Sequence, residues 1–153
     1  MTDTAIEPGP GPLPAASITP PPNPAEALAR QLTLAGEYEA AGRLDEAEIV
    51  LNRLLAEDPD RPHALHLLGL VSYRKGRTTE AIELVRRAIA LMPYAALFQR
   101  NLCEMYRKVR SYEAALLAGR RAIELDPKDP HARHNLGVVH YCRLEPDDAI
   151  ACA

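Results

Sequence analysis

A spacing of 34 residues recurs along most of the chain and limits what it can fold into. The residues that keep this interval are four alanines, four leucines and three prolines: Ala47, Ala81, Ala115 and Ala149; Leu34, Leu68, Leu102 and Leu136; Pro59, Pro93 and Pro127. A small residue follows each of the four leucines. A fixed period of this length indicates a repeat architecture, in which each unit is stabilised by packing on its neighbours.

Each period predicts two helices joined by a short turn. In the second copy, the apolar residues of PHALHLLGLVSY and of AIELVRRAIA recur at helical spacing on either side of that turn. We expect Gly76 to adopt a left-handed C-cap conformation, and Thr78 or Thr79 to cap the second helix. Antiparallel helices approach closely only where side chains are short, so we expect Ala81 to lie beside Gly69.

This pattern resembles the tetratricopeptide repeat in the motifs x-x-L-G-x-x-Y, G-x-x-x-x-A and A-I-x-L-x-P. The resemblance implies an all-α fold, a right-handed superhelix (α-solenoid) of antiparallel helical hairpins. We predict one domain over 24–153, with repeats at about 28–61, 62–95 and 96–129 and a truncated repeat at 130–153. Ser72 and His140 depart from the usual aromatic residue. Gly119 stands where a bulky residue is common, so we expect looser packing in the third repeat.

The first 23 residues differ in composition from the rest of the chain. Eight of the 14 prolines fall within the first 24 residues, where no apolar period survives. We predict a disordered Pro/Gly-rich tail over 1–23, because such a segment buries too little surface to offset its ordering entropy. A spacer is the favoured interpretation, and a proline-rich ligand for a small recognition domain is the alternative. Asn23 followed by Pro24 predicts an N-cap and a helix start.

The overall charge and the cysteines restrict the partners and the compartment. A net charge of −3 gives no electrostatic reason to expect nucleic acid as a partner. The three cysteines show no CxxC spacing, which favours reduced thiols, and Cys103 is expected to be buried and inert because it replaces a packing glycine. No stretch is long and apolar enough to cross a bilayer, so we predict no membrane partner and a cytoplasmic location.

In the tetratricopeptide family, the first helices of the repeats line a concave groove that holds a peptide or a partner's helix. Asn101 and Asn135 resemble the asparagine ladder of the O-linked N-acetylglucosamine transferase repeats, which implies contact with a peptide backbone. A capping or solvated role for these two amides is the alternative. The chaperone-tail type of this fold is rejected because Leu32, Gly36 and Leu67 occupy three of the places of its carboxylate clamp.

The rest of the candidate peptide-binding site lies on the same first helices. The complete set is His66, Tyr73, Arg100, Asn101, Glu104, Arg107, His134, Asn135 and Tyr141. We expect these residues to give the groove aromatic walls and some positive charge, suitable for peptide carbonyls or acidic side chains.

Other chemistries find little support in the residue pattern. His63 with His66, and His131 with His134, have an i, i+3 spacing that suits a metal, but no cysteine or carboxylate completes either site, so we predict no metal and no cofactor. No glycine-rich phosphate loop and no G-x-S-x-G motif is present, so we predict no catalysis within this chain. Glu83 four residues before Arg87 predicts an ion-paired, solvated outer face.

The sequence therefore predicts a protein-interaction scaffold that binds a peptide or partner segment in its groove. The alternative function is that of the N-terminal, substrate-presenting repeat region of a larger bacterial glycosyltransferase. It is considered because the segment ALHLLGLVSY resembles proteins of that kind. The chain stops within the expected second helix of the fourth repeat, and an uncapped end of this kind is also a candidate docking surface for a partner.

Overall fold

The computed structural model describes residues 23–144, and these residues form seven α-helices. The helices are α1 (Pro24–Ala40), α2 (Leu44–Glu57), α3 (Pro62–Arg74), α4 (Thr78–Leu91), α5 (Ala96–Lys108), α6 (Tyr112–Leu125) and α7 (Pro130–Leu144). The proposed tail before Asn23 and the expected second helix of the fourth repeat lie outside the described residues. None of the seven helices is long and apolar enough to cross a membrane.

The helices pack as successive antiparallel hairpins. α1 pairs with α2, α3 with α4, and α5 with α6, while α7 packs against both α5 and α6. Each second helix also packs on the first helix of the next hairpin. The fold is therefore the predicted all-α, right-handed solenoid. One hairpin leaves an apolar face uncovered, and stacking the next hairpin on it buries that face.

The buried side chains form one continuous core along the solenoid. One cluster joins the first hairpin to α3, and a second runs from α3 through to α7. Leu55 and Leu84 pack against both clusters and so connect them. Phe98, the only phenylalanine of the chain, is among the largest fully buried side chains of the second cluster. The chain has no Trp, and its core consists mainly of aliphatic residues with this one Phe.

Short side chains set how closely paired helices approach. Ala47, Ala81 and Ala115 are fully buried at equivalent places in the three hairpins. A Cβ atom added to Gly69 would lie 2.7 Å from Val85 Cγ2 and 3.2 Å from the carbonyl oxygen of Ala81. The predicted contact between Ala81 and Gly69 is confirmed, and no larger residue fits at Gly69 without moving α4 or the side chain of Val85.

The third hairpin uses the reverse arrangement, and the predicted looser packing at Gly119 is wrong. Cys103 and Gly119 are the counterparts of Gly69 and Val85, one repeat later. A Cβ atom on Gly119 would meet Cys103 Sγ at 3.1 Å and Leu136 Cδ1 at 3.0 Å. In the third hairpin the larger residue, Cys103, is on the first helix and the glycine is on the second. The Cys103 side chain therefore fills the space beside Gly119.

The helix ends confirm some of the predicted caps and correct one. Asn23 caps α1, because its Oδ1 accepts a hydrogen bond of 3.1 Å from the backbone N–H of Ala25, and Pro24 follows in the first turn. Gly76 has the predicted left-handed conformation, with φ of 81°. The expected threonine cap is wrong: the residue before α4 is Arg77, and no side chain caps that helix. Packing rather than capping therefore positions the start of α4.

The same left-handed position recurs in the turns of the three complete hairpins, but only two of them use glycine. Gly42 has φ of 76° and Gly76 has φ of 81°, whereas Arg110 occupies the corresponding place with φ of 60°. A residue with a Cβ atom is strained in this region by about 1 kcal/mol. The packing of α5 on α6 therefore offsets the backbone strain at Arg110.

Replacing Arg110 by glycine is expected to stabilise the protein. The change removes the left-handed strain, and the greater freedom of glycine in the unfolded chain offsets part of the gain, so we expect about 0.5–1 kcal/mol in the free energy of unfolding. Urea denaturation measures it. Val109→Gly is the matched control, because Val109 has φ of −92° and the change should destabilise. An Arg110→Gly variant less stable than the parent would show that the turn is not strained.

Candidate functional site

The candidate groove is the surface formed by the first helices of the hairpins, α1, α3 and α5, together with α7. Of the predicted site residues, His66 and Tyr73 lie on α3. Helix α5 carries Arg100, Asn101, Glu104 and Arg107, and α7 carries His134, Asn135 and Tyr141. The one-repeat offset places side chains of α3 beside those of α5, and several of the predicted residues contact one another there.

His66 and Asn101 form a pair between neighbouring repeats. Asn101 Nδ2 lies 2.9 Å from His66 Nε2, and the imidazole stacks on the Phe98 ring with centroids 4.3 Å apart. His66 is only 4% exposed, so its ring is not a groove wall as predicted but lies beneath the groove surface. Burial, with smaller contributions from His63 and Arg100, lowers the pKa of His66 to about 4, so the ring is neutral at physiological pH.

Tyr73, Glu104 and Arg107 form a second set between α3 and α5. The Tyr73 hydroxyl donates to Glu104 Oε1 at 3.3 Å, and Arg107 Nε donates to Glu104 Oε2 at 3.0 Å. A second N–H of Arg107 reaches Glu104 Oε1 at 2.5 Å, so the guanidinium binds both carboxylate oxygens. Burial and the Glu104 carboxylate raise the pKa of Tyr73 to about 12, which keeps the hydroxyl protonated as a donor.

Arg100 is paired with a carboxylate that the sequence analysis did not select. Its guanidinium donates to Asp129 Oδ2 at 2.9 Å, while Asp129 Oδ1 accepts from the backbone N–H of His131 at 2.9 Å. Asp129 therefore joins α5 to the start of α7. A shallow cavity of about 390 Å³ lies beside this pair. The signal that would have found Asp129 is its place just before Pro130, where an acidic residue caps a helix.

These contacts change the predicted electrostatics of the groove. Arg100 and Arg107 were expected to supply positive charge to a ligand, but each is bound to a carboxylate of the same chain, Asp129 and Glu104 respectively. The two ion pairs leave no net charge from these four side chains. The amides of Asn101 and Asn135 are uncharged polar groups of the set and suit a neutral ligand.

The predicted residues on α7 have a different environment. His134 and Tyr141 are exposed, with 46% of Tyr141 accessible, and Asn135 is half-buried. Asn135 and Tyr141 lie on the same helix, more than one helical turn apart. The structure therefore brings the predicted α3 and α5 residues other than Arg100 into two contacting sets and leaves the α7 residues at the edge of the described groove.

A second surface feature at the other end of the groove was not predicted from the sequence. A cavity of about 440 Å³ lies between α1 and the start of α3, with Leu28, Leu32 and Pro62 among its lining residues. Arg61 and His63 supply polar groups at the same place. The groove thus has an apolar end near α1 and an amide-rich end near α5. Only the packing of α1 on α3 brings Leu28 and Leu32 to Pro62, so no local motif marks the cavity.

The predicted outer face is solvated and ion-paired, with one change of partner. Arg86 pairs with Glu83 at 3.3 Å and Arg121 with Glu124 at 2.9 Å, all on exposed side chains. Arg87, the expected partner of Glu83, donates instead to the carbonyl oxygen of Pro59 at 3.3 Å. Exposed ion pairs of this kind contribute little to stability. They give Arg86 and Arg121 a partner within the chain, so no ligand is needed to explain these two charges.

The structure gives the packing of two of the histidines and the state of two of the cysteines. His63 and His66 both pack against Phe98, with His63 edge-on at 5.8 Å, so the two rings are engaged by an aromatic residue. Within 23–144, no three His, Cys, Asp or Glu side chains are grouped so that they could hold a metal ion. Cys103 is buried as predicted, and burial raises the pKa of its thiol to about 11. Cys142 is in a disulfide bond, so the expectation of reduced thiols is wrong there.

The hairpin stack and its groove define an α-solenoid of the class that presents a surface to a binding partner. Residues 32–96 match the tetratricopeptide repeat family. Together with the fold, this match supports a tetratricopeptide repeat protein. Tetratricopeptide repeat domains are generally non-catalytic.

Similar proteins cover different parts of the fold. The inactive TPR repeat-containing thioredoxin TTL3 of Arabidopsis thaliana is 30% identical over 90 residues, which are 59% of this chain and 13% of that protein. An O-GlcNAc transferase mutant of Thermobaculum terrenum is 30% identical with a TM-score of 0.66, over 78% of this chain and 26% of the transferase. This chain therefore spans about a quarter or less of the length of these two proteins.

A second similar structure shows the fold alone. The first TPR of Spaghetti (RPAP3), bound to the HSP90 peptide SRMEEVD, superposes with a TM-score of 0.73 at 19% identity. The match covers 80% of this chain and 96% of that one. The two chains share the hairpin stack.

We expect the free energy of unfolding to decrease as the pH is lowered, because His66 is buried in its neutral form. The folded pKa of about 4 lies below the ordinary value of 6.5, so the stabilisation is present above pH 6.5 and is lost as the pH falls towards 4. Between pH 7 and pH 5 the loss is about 2 kcal/mol, which urea denaturation at both pH values measures. His66→Phe keeps the ring stacked on Phe98 and should lack this component.

His140→Phe is the matched control, because His140 is an exposed histidine on α7. It should retain the pH dependence of the parent. If His66→Phe and the parent lose the same stability between the two pH values, His66 is not the group that is buried in neutral form.

Proposed function

We propose that this protein is an interaction scaffold that binds an extended, largely uncharged peptide segment in the candidate groove. The observation that carries the proposal is the internal pairing of the groove arginines, Arg100 with Asp129 and Arg107 with Glu104. A ligand rich in acidic side chains would have to break these pairs to gain a contact, whereas a peptide backbone would not.

The asparagine amides supply the groups that a peptide backbone needs. Each carboxamide offers two N–H donors and one carbonyl acceptor, which match the C=O and N–H of an extended chain. Asn101 and Asn135 are both half-buried, so their contact with a ligand displaces little water. Backbone contacts of this kind bind with little regard to ligand sequence.

The apolar cavity near α1 is proposed to supply selectivity. Leu28, Leu32 and Pro62 line a space that accommodates an aliphatic or proline side chain of the ligand. Burying a side chain of that size contributes about 1.5–3 kcal/mol before the costs of association. The ligand is therefore a segment with one apolar anchor and a neutral stretch towards α5.

We do not propose that this chain binds the peptide that is bound by the RPAP3 domain. The peptide SRMEEVD carries adjacent glutamates and a terminal aspartate. In this chain Leu32 and Leu67, both half-buried, stand at places where a carboxylate clamp needs polar groups, and Arg100 is held by Asp129. These differences favour a peptide that lacks the acidic tail.

Asn101→Ala and Asn135→Ala are expected to weaken peptide binding about threefold to tenfold each, because each removes one or two hydrogen bonds to the ligand. The probe is a peptide selected from a random library against the full chain, and fluorescence anisotropy gives its Kd. The melting temperature should change little. Asn52→Ala, an exposed asparagine on α2, is the matched control and should leave the Kd unchanged.

Two results would contradict the proposal. An unchanged Kd in both variants would show that the amides do not contact the ligand. A loss of melting temperature that accounts for the loss of binding would assign the asparagines a structural role instead.

A second candidate function is the substrate-presenting arm of a glycosyltransferase. The observation that favours it is the similarity to the Thermobaculum terrenum O-GlcNAc transferase, which is 30% identical over 78% of this chain. In this role the groove would hold a protein substrate while a separate domain acts on it. The amide contacts proposed above serve both functions, since each requires the groove to hold an extended segment.

The reading frame beyond Ala153 separates the two candidates. A nucleotide-sugar-binding domain encoded downstream would support the transferase arm, and co-expression of that domain with this chain should then increase glycosylation of peptides that the groove binds. Further repeats followed by a stop codon would support the scaffold.

A further inference from the structure

Asn101 is held differently from an ordinary surface amide. Its side chain extends from α5 to His66 on the preceding first helix, where Nδ2 lies 2.9 Å from Nε2. The two residues are 35 positions apart, so the contact exists only when neighbouring repeats are stacked. One N–H of the carboxamide is thereby occupied, and Oδ1 with the second N–H is left without a protein partner among residues 23–144.

The imidazole that holds Asn101 cannot easily turn away. It stacks on Phe98 with an interplanar angle of 23° and is 4% exposed. His63 packs on the same Phe98 ring from its edge, which closes the side of the cluster near α3. Because Nδ2 of Asn101 faces Nε2, that ring nitrogen accepts, and the proton of the neutral imidazole resides on Nδ1.

We propose that His66 is a positioning residue: it fixes the Asn101 carboxamide so that Oδ1 and one N–H face the candidate groove as a matched acceptor and donor. The inference rests on the proposed function of the groove. The class of ligand that suits this pair is an extended backbone, which presents one N–H and one C=O on the same edge. A preoriented amide binds more tightly than a rotating one, because its ordering cost is paid by folding.

Asn135 lacks the corresponding support. The residue that corresponds to His66 one repeat later is Arg100, which has only donors and is bound to Asp129 at 2.9 Å. An imidazole acceptor is therefore missing at the place from which Asn135 would be held. His66 makes Asn101 the stronger of the two amide contacts, although the sequence presents both asparagines at the same repeat position.

A double-mutant cycle tests the inference. The variants are His66→Phe, which keeps an aromatic ring on Phe98 but removes the acceptor, Asn101→Ala, and the two combined. The probe is the same library-selected peptide. We expect His66→Phe alone to weaken binding about threefold to tenfold, and to have no further effect when Asn101 is already alanine. His140→Phe is the control and should leave the Kd unchanged in both backgrounds.

The outcomes separate this inference from the proposed function. If Asn101→Ala weakens binding but His66→Phe does not, the positioning role is overturned and the groove proposal stands. If His66→Phe weakens binding equally in the Asn101→Ala background, His66 acts without Asn101 and the inference is again overturned. If neither asparagine affects binding, the proposed function itself fails.

A measurement without ligand keeps the inference testable if His66→Phe does not fold. The ¹⁵N chemical shift of His66 Nε2 in the parent protein distinguishes an unprotonated acceptor from a protonated donor. An unprotonated Nε2, together with a shifted side-chain amide proton of Asn101, supports the proposal. A protonated Nε2 would mean that the ring donates to Asn101 Oδ1, and would overturn it.

Discussion

The structure depends on the close approach of two antiparallel helices at a small residue in each hairpin. In the second hairpin, a methyl group at Gly69 would lie 2.7 Å from Val85 Cγ2 and 3.2 Å from the carbonyl oxygen of Ala81, so it would have to displace Val85. This approach sets the distance between the helix axes, and the distance sets which side chains reach the next hairpin. The stacking that forms the core, and the contacts that form the groove, both follow from it.

The hairpin interface restricts the combined size of the facing residues and does not require a particular residue at either place. The second hairpin combines Gly69 with Val85, and the third combines Cys103 with Gly119. The burial of Cys103 is a consequence: its sulfur fills the space that a valine methyl fills one repeat earlier, and this burial accounts for its raised pKa. An exchange of this kind preserves packing density, so a departure from the repeat pattern at one place is compensated at the facing place.

The period, the hairpins and the Asn23 cap were predictable because each rests on residues close in sequence or in register. The helix start of α4 and the tight packing at Gly119 were not, since they depend on how one helix settles on another. The site was predictable only as a set of residues on one surface. That Asp129 neutralises Arg100, or that His66 is buried beneath Asn101, follows from side-chain distances between repeats, which a repeat pattern does not specify.

The contacts that define the groove join residues about one repeat apart. His66 and Asn101 are 35 positions apart, Tyr73 and Glu104 are 31 apart, and Arg100 and Asp129 are 29 apart. Each contact is lost if neighbouring hairpins separate, so the groove and the solenoid form together. An isolated hairpin would therefore retain its helices at most in part and would have no oriented amide. The proposed binding would therefore need at least two stacked repeats, and a ligand held in the groove would in turn stabilise their stacking.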